Sequence, residues 1–112
     1  MSLKKTLERM VSELSGNTKF KREFSNVNAL IELKTIEGET IYLKVHGGAL
    51  EIIDKPDGKP NLTLIASMDV FMDLLESRLR GEVAVLTGRL RISGDLGLGE
   101  RLYRKILKFA KR

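Results

Sequence analysis

The sequence predicts an α+β fold: a five-stranded, mostly antiparallel sheet with helices packed on one face. Three observations carry this. Short runs alternate apolar and polar residues with a period of two, as half-buried strands do. Turns bearing Gly or Pro separate those runs at hairpin spacing. Segments at both ends and in the middle instead repeat apolar residues every three or four positions, as amphipathic helices do.

A first helix is predicted over residues 2–14, with Leu3, Leu7, Met10, Val11 and Leu14 in one stripe and Gly16-Asn17 as its stop. Residues 18–26 are basic and irregular in pattern; Phe20 and Phe24 are expected to anchor a turn there to the core. Strands follow at residues 27–36, 40–46 and 49–54. Their inward sets are Val27, Ala29, Ile31 and Leu33, then Ile41, Leu43 and Val45, then Leu50 and Ile52. Pro56 and Pro60 flank Asp57-Gly58, so this segment is a loop. A fourth strand at residues 61–66 turns Leu62, Leu64 and Ala66 inward. Ser67 is a suitable N-cap for a helix predicted to run to Leu79, with Asp69 favourably placed in its first turn. On that helix Met68, Phe71, Met72, Leu75 and Leu79 share a face that Val70 and Leu74 widen. Gly81 is read as its end, and residues 82–86 as a further helical turn. Leu90 and Ile92 alternate with Arg89 and Arg91 in the fifth strand. Gly94-Asp95 breaks that strand and opens a last helix, predicted from Leu98 to the C-terminus with the Asp95 carboxylate available as its cap.

At 112 residues the chain is read as one domain spanning 1–112, able to bury roughly two-thirds of its unfolded surface. Hydrophobic residues make up 42% and charged residues 31%, the balance of a soluble globular protein. No apolar run approaches the ~20 residues of a membrane-spanning helix. Lys4 and Lys5 have no apolar segment behind them, so a secretory signal is not expected and the predicted address is cytoplasmic. There is no cysteine, and His46 is the only histidine. Thiolate chemistry, disulfides and a conventional zinc centre are thereby excluded within one chain, and no metal or cofactor is implied. The net charge of +5 and pI near 9.6 favour an anionic partner, either nucleic acid or a membrane surface.

Few residues offer chemistry. His46 falls on the polar side of its strand beside a Gly-Gly turn, with no fixed acid partner, and reads as a solvated histidine. Asp54 and Asp57 bracket a turn and lack the further oxygens that calcium requires. The run Gly94 to Gly99 looks like a phosphate loop but lacks the Walker lysine, and Asp95 would repel a phosphate; its glycines read as sites of positive φ or close helix–sheet approach. No nucleophile–base pair can be assembled, so an enzyme is not expected. The last helix is strongly polarised. Leu98, Leu102, Ile106 and Phe109 form its apolar stripe, while Arg101, Arg104, Lys105, Lys108 and Lys111 cover the opposite arc. A solvated face is the first reading of that arc, docking on anionic lipid headgroups the second and nucleic acid the third. Only 5% of residues are aromatic and no RNA-recognition or helix-turn-helix pattern is present. The methionine-rich stripe of the middle helix suits ordinary core or an adaptable ligand wall alike.

Pro60-Asn61-Leu62-Thr63-Leu64, Ser67-Met68-Asp69 opening a helix with Phe71, Leu74 and Leu75, and Gly88-Arg89-Leu90-Arg91-Ile92-Ser93-Gly94-Asp95-Leu96-Gly97-Leu98 together resemble the sterol carrier protein type 2 family. The order of the other elements matches, so the resemblance covers essentially the whole chain. It implies a non-catalytic lipid-transfer domain with an apolar tunnel between sheet and helices for sterols, fatty acids, acyl-CoA or related lipids. The implied wall here is Phe71, Leu74, Leu75 and Leu79, then Val85 and Leu86, then Leu98, Leu102 and Ile106. This chain departs from the family at Val85-Leu86, where a larger aromatic–methionine pair is usual, and at Gly99-Glu100-Arg101-Leu102.

The function expected is binding and transfer of a fatty acyl or isoprenoid-like lipid, worth about 0.8 kcal/mol per buried CH₂. A pocket of ~300 Å³ left empty would cost on the order of 7 kcal/mol, against a total stability of roughly 5–15 kcal/mol. Such a pocket is therefore filled by lipid, collapsed, or lined by a second chain in a homodimer. The alternative function is a protein-interaction domain that keeps the fold with the cavity collapsed.

Overall fold

The computed structural model describes residues 3–110, with side chains through residue 104. Helices α1 (Leu3–Ser15) and α2 (Thr18–Glu23) lead into β1 (Asn28–Thr35), β2 (Thr40–His46) and β3 (Ala49–Ile53). Then come β4 (Leu62–Ala66), α3 (Met68–Leu75), α4 (Gly81–Leu86), β5 (Arg91–Gly94) and α5 (Leu96–Ala110). The predicted α+β class holds. The five strands form one mixed sheet in the order β3-β2-β1-β4-β5, antiparallel except for the β1–β4 pair.

That parallel pair follows from the loop after β3, which carries the chain back across the sheet to start β4 beside β1. Asn61 fastens the crossover. Its N–H donates to the Leu30 carbonyl at 2.8 Å, and its side-chain Oδ1 accepts the Leu30 N–H at 2.8 Å. Both peptide groups are thus paired one residue before the strand begins.

Most of the residues predicted to face inward are buried, while Ile52 and Leu64 are half-buried against the core. Ala29, Ile31 and Leu33 of β1, Ile41, Leu43 and Val45 of β2, and Leu50, Leu62 and Ala66 are all buried. On the opposite face Tyr42, Glu32 and Thr63 stand in one cross-strand row. The Tyr42 and Thr63 hydroxyls each donate to the Glu32 carboxylate at 3.1 Å. That contact holds the Tyr42 hydroxyl above its ordinary pKa. Lys44 on the same face pairs with Asp57 and so ties the crossover loop down.

One expectation is corrected at residues 18–23, which are helical rather than irregular. Asn17 caps them, its Oδ1 accepting the Phe20 N–H at 3.0 Å. Phe20 and Phe24, four residues apart on one helical face, are buried with ring centroids 4.6 Å apart. A six-residue helix with one apolar position and a second at its C-cap is too short to show a period, so its backbone was illegible while its anchors were not.

Candidate functional site

The wall residues implied by the family resemblance fall on or beside α3, α4 and α5, and local terminators set where each helix begins and stops. Ser67 caps α3 as predicted, accepting the Val70 N–H at 3.1 Å, and Glu37 from the β1–β2 turn accepts the Met68 N–H at 2.9 Å. The helix then ends at Leu75, not Leu79. Ser77 adopts a left-handed φ of 61°; its N–H donates to the Leu74 carbonyl at 3.2 Å, and the Arg78 N–H to the Asp73 carbonyl at 2.8 Å. This is a Schellman stop with serine where glycine is usual. Arg78 also grips the end of the helix through Asp73 at 2.8 Å and through Glu76.

Gly81 does not end that helix; it begins α4. It is buried beneath the Tyr103 ring of α5, and its N–H donates to the Tyr103 hydroxyl at 2.7 Å. A Cβ at this position would lie 2.9 Å from the Tyr103 Cζ, so only glycine lets the ring sit there. Nothing beside Tyr103 in the sequence announces this contact, because the partner is 22 residues away. Helix α4 closes with the same stop as α3, here with Gly88 at φ 74°. The Gly88 N–H meets the Val85 carbonyl at 3.1 Å and the Arg89 N–H the Ala84 carbonyl at 2.8 Å.

Asp95 caps α5 as predicted, its Oδ1 accepting the Leu98 N–H at 3.0 Å, though the helix starts two residues earlier, at Leu96. Gly94 is at φ 101°, and a Cβ there would lie 2.4 Å from the Asn61 carbonyl oxygen. Gly99 packs against the Leu62 side chain, with a Cβ placed 3.2 Å from it. Gly99 thus allows close helix–sheet approach, with α5 over β4, and Gly94 allows the end of β5 to lie close to the start of β4.

Burial across the inner face is uneven. Beneath α1 and α2 the core is closed: Leu3, Leu7, Leu14, Phe20 and Val45 are at most 1% exposed. Toward β5 it is not. Leu64 and Ile92, paired across β4 and β5, are only half-buried, as are Met68, Met72, Leu75 and Leu98, all attached to the core's edge.

The predicted wall residues divide accordingly. Phe71 and Leu102 are buried, and Leu74, Leu75, Leu79 and Leu98 are half-buried against the core. Val85 and Leu86 point outward, 45% and 86% exposed. The small, buried Ala84 is the residue α4 turns inward instead, so the exposed pair falls on the solvent side of a single helical turn. Ile106 lies outside the described side chains, as do Lys105, Lys108 and Lys111. Arg101 and Arg104 are exposed, with Arg104 paired to Glu100 at 2.8 Å.

Elsewhere the chemistry is sparse. A polar recess of about 370 Å³ on the helix-free side of the sheet is bordered by Asn28, Lys44, Asp57, Lys59 and Asn61. The Lys44 ammonium beside Asp57 holds that carboxyl below its ordinary value. His46 is exposed near Asn28 at 3.5 Å. Among the described residues no group of three or more His, Asp or Glu is placed to hold a metal ion, and no helix is long and apolar enough to cross a membrane.

Residues 7–106 match the SCP-2 sterol transfer family. The chain belongs to this family. Solved SCP-2 structures share its fold: the palmitated SCP2L2 protein of Aedes aegypti superposes with a TM-score of 0.70 at 18% identity, covering 95% of each chain. The fold also occurs inside larger proteins. A double mutant of the sec-alkyl sulfatase PisA1 from Pseudomonas sp. superposes over 97% of this chain with a TM-score of 0.74 at 13% identity. Among curated sequences, the peroxisomal multifunctional enzyme A of Dictyostelium discoideum is 32% identical over 57 residues, 51% of this chain. The chain spans only 13% of that enzyme's length and 16% of the sulfatase's. Membership in the SCP-2 family makes lipid or another apolar small molecule the expected class of partner.

Proposed function

We propose that this SCP-2 chain binds and transfers a fatty acyl or isoprenoid-like lipid without catalysis, holding it between the β4–β5 end of the sheet and α3 and α5. The observation that carries the reading is the uneven burial of the inner face. A chain of this size gains about 25 cal/mol for each Å² of apolar surface removed from water. Leaving Leu64, Ile92, Met72, Leu75 and Leu98 half-covered at one end forgoes that gain, and an apolar guest would recover it. The two half-buried methionines of α3, Met68 and Met72, suit guests of varied shape. Arg101 on α5, exposed beside the Arg104–Glu100 pair, supplies attraction for an anionic headgroup.

Native mass spectrometry after gentle purification, with extraction of any bound lipid, tests this directly, alongside titration with a fluorescent fatty acid. One saturable site per chain is the expected result. Absence of both co-purified lipid and saturable uptake would overturn it.

The second reading is an interaction domain with its lipid space collapsed, and the outward Val85 and Leu86 favour it. It predicts a protein that takes up no fatty acid and self-associates as concentration rises.

A further inference from the structure

The pair Val85-Leu86 is on the wrong side of α4 to line an internal space, and its setting is distinctive. Leu86 is 86% exposed and Val85 45%, at the open end of a helix held down by buried Ala84 and by the Tyr103–Gly81 hydrogen bond. Flanking it in the chain are Arg80 at the N-cap of α4, Arg89 directly after the Gly88 turn, and Arg91 on the outward face of the edge strand β5. All three are exposed, and among the described residues none has a carboxylate partner. Glu82 is the one acid on α4, a turn back from Leu86. By contrast Arg78 and Arg104 are already neutralised by neighbouring carboxylates. An exposed apolar tip flanked in the chain by unpaired cations is complementary to a surface with an anionic layer over a hydrocarbon interior.

We propose that the α4–β5 corner is a docking surface for an anionic lipid bilayer: Leu86 and Val85 enter the headgroup–acyl boundary while Arg80, Arg89 and Arg91 bind lipid phosphates. The same α4 joins α3 to β5 in the chain, the two elements that carry half-buried Leu75 and Ile92, so docking here would bring the proposed lipid site toward the membrane. Guests then move between bilayer and protein with little exposure to water. The surface goes beyond the ligand reading, because partition onto vesicles is measured with no fatty acid present, and either one stands if the other falls.

The chain has no tryptophan, so Leu86→Trp places a single reporter at the tip of the corner. Its emission is expected to shift to the blue with vesicles of phosphatidylcholine plus phosphatidylserine, to stay unshifted with phosphatidylcholine alone, and to lose the shift in high salt. Co-sedimentation of the unmodified chain with the anionic vesicles should parallel it. Replacing Arg89 and Arg91 together by Gln should weaken partition roughly tenfold or more, whereas Arg9→Gln on α1 should leave it unchanged. Three results would overturn the proposal: no blue shift on anionic vesicles, an equal loss in Arg9→Gln, or a concentration-dependent shift in buffer alone, which would make the corner a contact between copies of the chain.

Discussion

Ser77 occupies a backbone conformation that costs an L-residue roughly 1 kcal/mol and costs glycine almost nothing. Among the described residues its side chain makes no hydrogen bond that offsets this, and it is exposed. Ser77→Gly should therefore raise stability by about 0.5–1 kcal/mol, read as a higher urea midpoint at unchanged slope. Asp57 offers a second check at this scale. Lys44 favours its ionised form in the fold, so its pKa is lower folded than unfolded. The contribution of the pair is then full above about pH 4, the range of an unperturbed Asp, and fades as pH falls through the depressed value. NMR titration should show the Asp57 carboxyl protonating below its ordinary 3.8, and Lys44→Met should move it back up.

At the scale of elements, helix ends decide the shape of the candidate site, and they were read with unequal success. Ser67 and Asp95 were legible as caps because a side-chain oxygen beside the first turn acts locally. The end of α3 was not. Its apolar stripe continues through Leu79, and the stop is a serine in a glycine's conformation, so nothing in the residue type announces it. The identical stop on α4 uses Gly88, the residue that sequence reading expects. Gly81 misled in the other direction: a glycine after a helix suggests a terminator, yet here it makes room for Tyr103. Gly94 combines both demands, a positive φ and a carbonyl oxygen where its Cβ would be. Gly94→Ala should thus cost on the order of 2–3 kcal/mol and be seen as a lowered melting temperature. Gly97→Ala, with only the Asp95 side chain within reach, should cost far less.

Across the whole molecule, the sheet divides into a closed half under α1 and α2 and a less covered half under α3 and α5. If that second half holds lipid, Ile92→Glu should abolish saturable fatty-acid uptake, since it sets a charge among apolar side chains. Ile36→Glu, at a turn position already 72% exposed, should leave uptake intact. Fluorescent fatty-acid titration of both variants, with circular dichroism to confirm folding, makes the comparison. The chain's own pattern determined the strands, most of their inward faces and the main helices, because these rest on periods of two and 3.6 and on caps within a few residues. The residues of segments 60–64, 67–75 and 88–98 carried the SCP-2 likeness. Tertiary structure alone decided that β1 and β4 run parallel, that Tyr103 seats on Gly81, and that Val85 and Leu86 face out. Each of those depends on which distant surface an element meets, and a single helical turn such as α4 has too few residues for its pattern to say which side that will be.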